Sequence, residues 1–374
     1  MSSFVVNKIF FSEKIIQKEL GMNNEYTTKK DFFASSNSYY GFKSYFDKIF
    51  DSSKFDRIFV LKGGPGTGKS TLMKKVANSM KNSNLNIELF WCSSDPLSLD
   101  GLIIENERNR IAILDGTAPH ERDAIIPGAI DVIVNLGDSL NINELKERRK
   151  EILSLNDLKR GAYRTAYQKL SKSSIIYSNI KAELLNSVDL SLIDAKCNEL
   201  IKTVIPRSGL SDVRLFSSFS KNGYSRVSSF IPSLDNCYTI SESHGFGTVF
   251  LTLFSQKLTS ENISFIKIIS PKDPESVEGI YFKDSNFAIL STNEKEVTLN
   301  TEDFIKTSEK NALTEKLQTL KNCISIYESE AVDALREASV QHFELENIYT
   351  EAVNFEIINN YTENIISELS KIFI

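Results

Sequence analysis

The densest chemistry in the chain lies in residues 57–71, RIFVLKGGPGTGKST. Gly63, Gly64, Pro65, Gly66, Thr67 and Gly68 run directly into Lys69, Ser70 and Thr71, which is the spacing G-x-x-x-x-G-K-[ST] of a phosphate-binding loop. Glycines at those places let backbone N–H groups curl round an anion without Cβ clashes, and a following helix N-terminus adds donors and partial positive charge. In that reading Lys69 reaches the β- and γ-phosphates of ATP, and the Ser70 hydroxyl takes a position on Mg2+. A second carboxylate-bearing pattern, RIAILD (110–115), ends in Asp115, 46 residues after Lys69 (115 − 69). Four apolar residues closing on an aspartate form the strand-end pattern that holds Mg2+ opposite the phosphates.

Hydrolysis also needs a group that orients water. The residue after Asp115 is Gly116, where many phosphate-loop ATPases have glutamate, so the water-orienting group must come from elsewhere. Asp95 is the first choice, with Asp100, His120, Glu121 and Asp123 as further candidates, all expected on loops at the carboxyl edge of the sheet. Asp95 in S-D-P is equally well suited to shaping a turn. Arg57, Arg108, Arg122 and Arg214 are the candidates for a charge-stabilising arginine.

These residues need elements to hold them. Ile58–Leu61 reads as a buried strand, and Lys69 opens a helical pattern through Leu72, Met73 and Val76. NIELFWC (86–92) reads as a second strand running into a turn-rich loop, SSDPLSLDG (93–101), with RIAILD as the next strand. Asn141 to about Ile205 turns helical, and its segment 146–164 is locally basic. Residues 302–372 are again long and helical, with PRSG (206–209) as a linker between the halves.

The chain also repeats itself. YTISESHGFGTVFLTL (238–253) lies over RIFVLKGGPGTGKSTL (57–72) at an offset of 181, DPESVEG (273–279) over DPLSLDG (95–101), and FAIL (287–290) over IAIL (111–114). In that alignment Val249, Phe250 and Leu251 replace Gly68, Lys69 and Ser70, and Ser291 replaces Asp115. The second loop then lacks a cation to offset a triphosphate's charge. The expected fold class is α/β: two tandem phosphate-loop domains, each a parallel sheet flanked by helices and followed by a long helical segment. The expected boundaries are 1–28 for an extension carrying a weakly amphipathic helix, 29–205 for the first domain and 206–374 for its degenerate repeat.

Composition sets limits. A chain of 374 residues with 41% hydrophobic and 25% charged residues has room for two or three cores. A net charge of −5 gives no whole-chain case for nucleic acid or anionic membrane. Cys92, Cys197, Cys237 and Cys323 have no C-x-x-C spacing, and His120, His244 and His342 lie far apart, so no zinc site or disulfide framework is signalled. No 18-residue apolar run is present, and a reducing cytoplasm is the expected location.

Taken together, KGGPGTGKSTLMKK (62–75), CSSDPLSLDG (92–101), ILDGTAPH (113–120), PGAIDVIVNLGD (127–138) and HFELENIY (342–349) resemble a family of bacterial tandem P-loop ATPases of unassigned physiological role, best represented in low-GC Gram-positive bacteria. The resemblance runs from about residue 30 to the C-terminus. It implies ATP and Mg2+ as ligands, a two-halved α/β body and a capacity for hydrolysis, and it supplies no substrate. Many relatives keep a recognisable second loop, and this chain does not. The leading expectation is a slow or partner-stimulated Mg-dependent ATPase acting as a regulatory switch on an unknown protein partner. The alternatives are a small-molecule kinase whose acceptor sits at the DGTAPH and PGAID loops, and a nucleotide-binding scaffold that contacts nucleic acid or protein through the basic arm.

Overall fold

Apolar residues on both faces of the central strands dictate how the layers form. The computed structural model describes residues 29–80, 85–203, 211–227, 229–242, 245–292, 297–306 and 310–373. The expected helix in 1–28, the linker at 206–209 and His244 lie outside them. The front half contains β1 (Lys29–Phe33), the hairpin β2 (Ser35–Ser38) and β3 (Gly41–Ser44), β4 (Arg57–Lys62), β5 (Asn86–Trp91), β6 (Leu99–Glu105), β7 (Arg110–Asp115) and β8 (Asp131–Asn135). Its six-stranded sheet has the order β1-β5-β6-β7-β4-β8. On β4, Ile58 and Val60 point into one core while Phe59 and Leu61 point into another, as a period of two requires. A strand buried on both faces reads as a continuous apolar run, which is why β4 and β7 are visible in the sequence.

The sheet is mixed rather than parallel. β4 pairs in parallel with β7 and β8, and β1 with β5, but β6 runs antiparallel to both β5 and β7. Leu99–Gly101, expected in a loop, begins β6, so two strands and not one separate Lys69 from Asp115. The run Leu102–Ile104 is as apolar as its neighbours, but the preceding turn residues mask its start.

The rear half repeats this plan. It has β9 (Asp212–Arg214), the hairpin β10 (Ser217–Ser220) and β11 (Gly223–Arg226), β12 (Asn236–Ile240), β13 (Ile266–Ile269), β14 (Val277–Phe282) and β15 (Phe287–Ser291), with sheet order β12-β15-β14-β13-β9. β12∥β15, β14 antiparallel to both neighbours and β9∥β13 match the front pairings strand for strand. Among the described residues no rear strand corresponds to β8.

The inner faces of the two sheets share one core. Ile58, Val60, Leu114 and Phe90 of the front sheet meet Ile268, Tyr281 and Leu290 of the rear sheet, with Phe32, Phe50 and Phe230 filling between. Phe33 and Leu215, equivalent residues at an offset of 182 (215 − 33), exchange backbone hydrogen bonds of 2.7 and 3.2 Å. The halves are therefore related by a local pseudo-twofold. Arg214 is fully buried beside it and donates to Glu88 at 2.7 Å while its guanidinium lies 5.3 Å from the centre of the Phe90 ring. Burial alone would raise the Glu88 carboxyl, but Arg214, Lys283 and Arg110 overcome it and hold Glu88 below the ordinary range.

Helices cover the outer faces: α1 (Lys69–Ser79), α2 (Arg149–Ser187), α3 (Leu190–Ile201), α4 (Phe246–Ser260), α5 (Lys310–Glu351) and α6 (Phe355–Phe373). The helical arms cross over. Leu170, Leu184, Ile193 and Leu200 of the front arm pack on the rear sheet, and Ile358, Ile365 and Leu369 of the rear arm pack on the front sheet. α2 and α5 lie antiparallel, in a register set by Arg148–Glu351, Lys169–Glu330 and Lys316–Glu183 ion pairs, each pair of numbers summing to 499. Exposed ion pairs of this kind contribute about 0–1 kcal/mol each. The apolar contacts Leu155 with Leu345 and Ile348 carry more of the pairing. No described helix is long and apolar enough to cross a membrane.

Candidate functional site

The glycine-rich loop joins the carboxyl end of β4 to α1. Gly66 (φ 71°) and Gly68 (φ 78°) adopt left-handed backbone, Gly68 forming the N-cap of α1. The Thr67 hydroxyl donates to the Gly64 carbonyl at 2.8 Å and braces the turn. Lys69 folds back over it, its ammonium donating to the Gly63 and Gly64 carbonyls at 2.9 and 2.8 Å and lying 3.6 Å from Asp115 Oδ2. Ser70 Oγ accepts the Leu99 N–H at 2.9 Å, which ties α1 to the start of β6. Pro65 is half-buried and Thr71 is exposed on the first turn of α1.

Asp115 ends β7, hydrogen-bonded in parallel to β4 opposite Leu61, so the strand pairing itself brings it to Lys69. Its Oδ1 accepts from the Thr117 N–H and hydroxyl at 2.9 and 2.6 Å. Burial raises its carboxyl, Lys69 opposes the shift, and Asp100 adds to it. A buried carboxylate in that state favours a nearby cation.

The remaining candidates separate clearly. Asp95 shapes the turn before β6, its carbonyl accepting the Ser98 N–H at 2.9 Å. Asp100 is on β6 rather than in a loop, and the buried His120 lies 3.1 Å from it and stacks on Phe46. Asp123 pairs with Lys62 at 2.8 Å and Glu121 is exposed. Among the arginines, Arg57 lies 3.4 Å from Glu368, Arg122 is buried on Asp131, and Arg214 is the interface residue described above. Arg108 sits in the β6–β7 turn, at the opposite edge of the sheet from the loop. None of the four reaches the loop as placed. The basic arm is partly neutralised, with Arg148 on Glu151 and Glu351 and Arg160 on Asp157. Arg160, Tyr163, Arg164, Tyr167, Gln168 and Ser171 line an open groove of about 510 Å³ on that arm.

The loop's other neighbours come from the rear arm. A Cβ on Gly64 would lie 2.8 Å from the Tyr349 ring, and one on Gly66 would lie 2.7 Å from the Glu346 carbonyl oxygen. Gly64 and Gly66 are thus required by helix packing as well as by any anion. Thr350 donates to the Gly66 carbonyl at 3.5 Å, and His342 lies 3.6 Å from Glu346. All four residues are on the last turns of α5. No local pattern around the loop points to them, since Glu346 is 277 residues from Lys69 (346 − 69). The one signal is the resemblance segment HFELENIY, whose place in space the sequence does not give.

The rear loop differs from the expected alignment. Gly245 (φ 103°) caps α4 as Gly68 caps α1, and Ile240 pairs with Ser291 as Leu61 pairs with Asp115. The helices therefore align near an offset of 177 (245 − 68), not 181. Phe250 is not in the lysine's place: it lies a turn further on, buried and stacked on Phe304. Phe246 or its neighbour Gly247 takes the Lys69 position. Ser291 does stand where Asp115 does, and it donates to Glu242. The Glu242 carboxylate also accepts the Thr248 N–H at 3.2 Å. A carboxylate of the chain itself thus occupies the rear helix N-terminus, where an incoming anion would have to displace it.

Among the described residues no group of three or more His, Cys, Asp or Glu is arranged to hold a metal. A comparison with protein families matches the family described as Nephrocystin 3, N-terminal, over residues 42–99, which run from β3 through the glycine-rich loop to the start of β6. No curated protein and no solved structure matches the chain.

Proposed function

We propose that the front loop binds ATP with Mg2+ and that the protein is a slow or partner-stimulated ATPase whose nucleotide state acts on the crossed arms. The observation that carries this reading is the 3.6 Å approach of Lys69 to Asp115, across the mouth of a loop capped by a left-handed glycine. On binding, the Lys69 ammonium would exchange the Gly63 and Gly64 carbonyls for phosphate oxygens, and backbone N–H groups of the loop and of the α1 N-terminus would donate to the same phosphates. Ser70 and Asp115 would hold Mg2+, which in phosphate sites takes one or two protein groups and fills its shell with phosphate oxygens and water. When bound there, the ion would supply positive charge to offset that of the phosphates. Asp95 and its surroundings would supply the displaced water-orienting carboxylate.

The same reading makes the two halves tandem P-loop domains of the bacterial family that the sequence resembles, the rear one inactive. The matching strand orders and Glu242 at the rear helix N-terminus support that assignment. The arms support the switch: α5 and α6 of the rear half rest on the nucleotide loop, so a ligand there meets the rear half directly.

Calorimetric titration with Mg·ATP tests the reading. Lys69→Ala should weaken binding by about 100-fold or more, the scale of a lost charge-assisted contact to phosphate. Thr248→Ala, on the first turn of α4 at the rear site, should bind as the parent does. Equal binding by the parent and Lys69→Ala would contradict the proposal.

A further inference from the structure

The pseudo-twofold makes the rear loop an internal control for the front one. Backbone pairs that close the two arms fall at a single offset: Leu140 bridges Val353, and Val188 bridges Ile305, with 305 − 140 and 353 − 188 both equal to 165. Applied to the long helices, that offset matches Tyr349 with Leu184, and each packs against a glycine of the loop it faces, Tyr349 on Gly64 and Leu184 on Gly245, the counterpart of Gly68. It also matches Glu346 with Lys181. The turn aspartates match as well, Asp95 in DPLSLDG with Asp273 in DPESVEG.

At the rear, Lys181 and Asp273 form an ion pair of 2.6 Å, an ordinary solution for two charges at a helix–loop contact. At the front, the same two places hold Glu346 and Asp95, two carboxylates. Like charges so placed cost stability unless a cation or a function offsets them. The cations that act on Glu346 are Lys69, Lys221 at the tip of the β10–β11 hairpin, and Lys159 on α2. His342, one turn back on α5, is the remaining titratable neighbour. Burial and the Asp95 charge raise the Glu346 carboxyl, the direction that makes a stronger base. The exchange of lysine for glutamate thus occurs at the loop that keeps Lys69 and is absent at the loop that lost it.

We propose that Glu346, delivered by the rear half's helix, is the water-orienting carboxylate of the front loop, with Asp95 beside it. This rests on the ATPase reading above. The water oxygen bonds to the γ-phosphorus, the bond from that phosphorus to the bridging oxygen breaks, and ADP leaves with the electron pair. The water proton passes to Glu346 and then to solvent, giving ADP, phosphate and a proton. The place left open by Gly116 is filled across the pseudo-twofold.

The test pairs Mg·ATP affinity with steady-state phosphate release on the full chain. Glu346→Gln should lower turnover by about 100-fold or more while affinity stays within about threefold, a split that loss of packing would not give. Glu346→Asp should recover part of the rate. Glu346→Lys, which copies the rear pair, should fold and be inactive, with thermal melting as the check. Turnover of Glu346→Gln within about threefold of the parent overturns the assignment. So does a parent that binds Mg·ATP without any turnover, leaving the binding reading intact. A parent that binds no Mg·ATP removes both.

Discussion

Glu278 shows how much one side chain records of its surroundings. It stands on β14 at the place Asp100 takes on β6, buried between Ser217, Arg226, Glu242 and Lys272. Burial pushes its carboxyl up to about 7 from an ordinary 4.5. Because the folded state binds this proton more tightly, the stability it contributes is complete below pH 4.5 and is lost as pH rises to about 7. The loss is on the order of 3 kcal/mol. Glu278→Gln keeps an acceptor for the Ser217 hydroxyl and should remove that slope: urea denaturation at pH 8 should find the variant more stable than the parent, and at pH 4.5 the two should converge. A parent as stable at pH 8 as its variant would contradict the burial argument. At this scale the sequence is informative where chemistry is local. The approach of Lys69 to Asp115 is legible because a loop and an adjacent parallel strand bring them together. Glu346 and Glu242 are not, because one arrives from a distant helix and the other depends on the loop's length.

Elements explain why the glycine-rich loop has its composition. Gly64 faces the Tyr349 ring, so Gly64→Ala should push the end of α5 away and cost about 1–3 kcal/mol, the usual range for overpacking. In a Tyr349→Ala background the same change should cost less, with a coupling of about 0.5–3 kcal/mol in a double-mutant cycle followed by thermal melting. Additive effects would show that ring and loop do not share the contact. Elements with strong periodicity or doubly buried runs, such as β4, β7 and the two long helices, are visible from sequence. β6 is not, because its first residues sit in a turn-forming segment. The mixed pairing is also invisible, since antiparallel and parallel strands buried on both faces carry the same apolar pattern. The repeat is detectable, but a loop one glycine pattern long can slide by a turn, which is how Phe250 falls in the lysine's column.

For the whole molecule, the decisive feature is that neither half closes on its own arm. Arg214, with Glu88 and Asp212 at 2.7 and 3.0 Å, lies in the core both sheets share. Arg214→Ala leaves buried carboxylates short of a cation and should cost about 3–5 kcal/mol. Because the core is common, urea unfolding should remain one transition seen identically at the front and rear, whereas two separated transitions would show that the halves stand alone. The crossed arms also place a rear-half helix against a front-half loop, a relation that the order of residues cannot reveal. The same crossing makes the two loops unequal: one keeps a lysine at its mouth, and the other already holds the chain's own glutamate. The most direct test is therefore a count of nucleotide bound to purified protein by equilibrium dialysis, with magnesium and again with a chelator. One ATP per chain, held with magnesium and released without it, is the predicted result; none, or two, would contradict it.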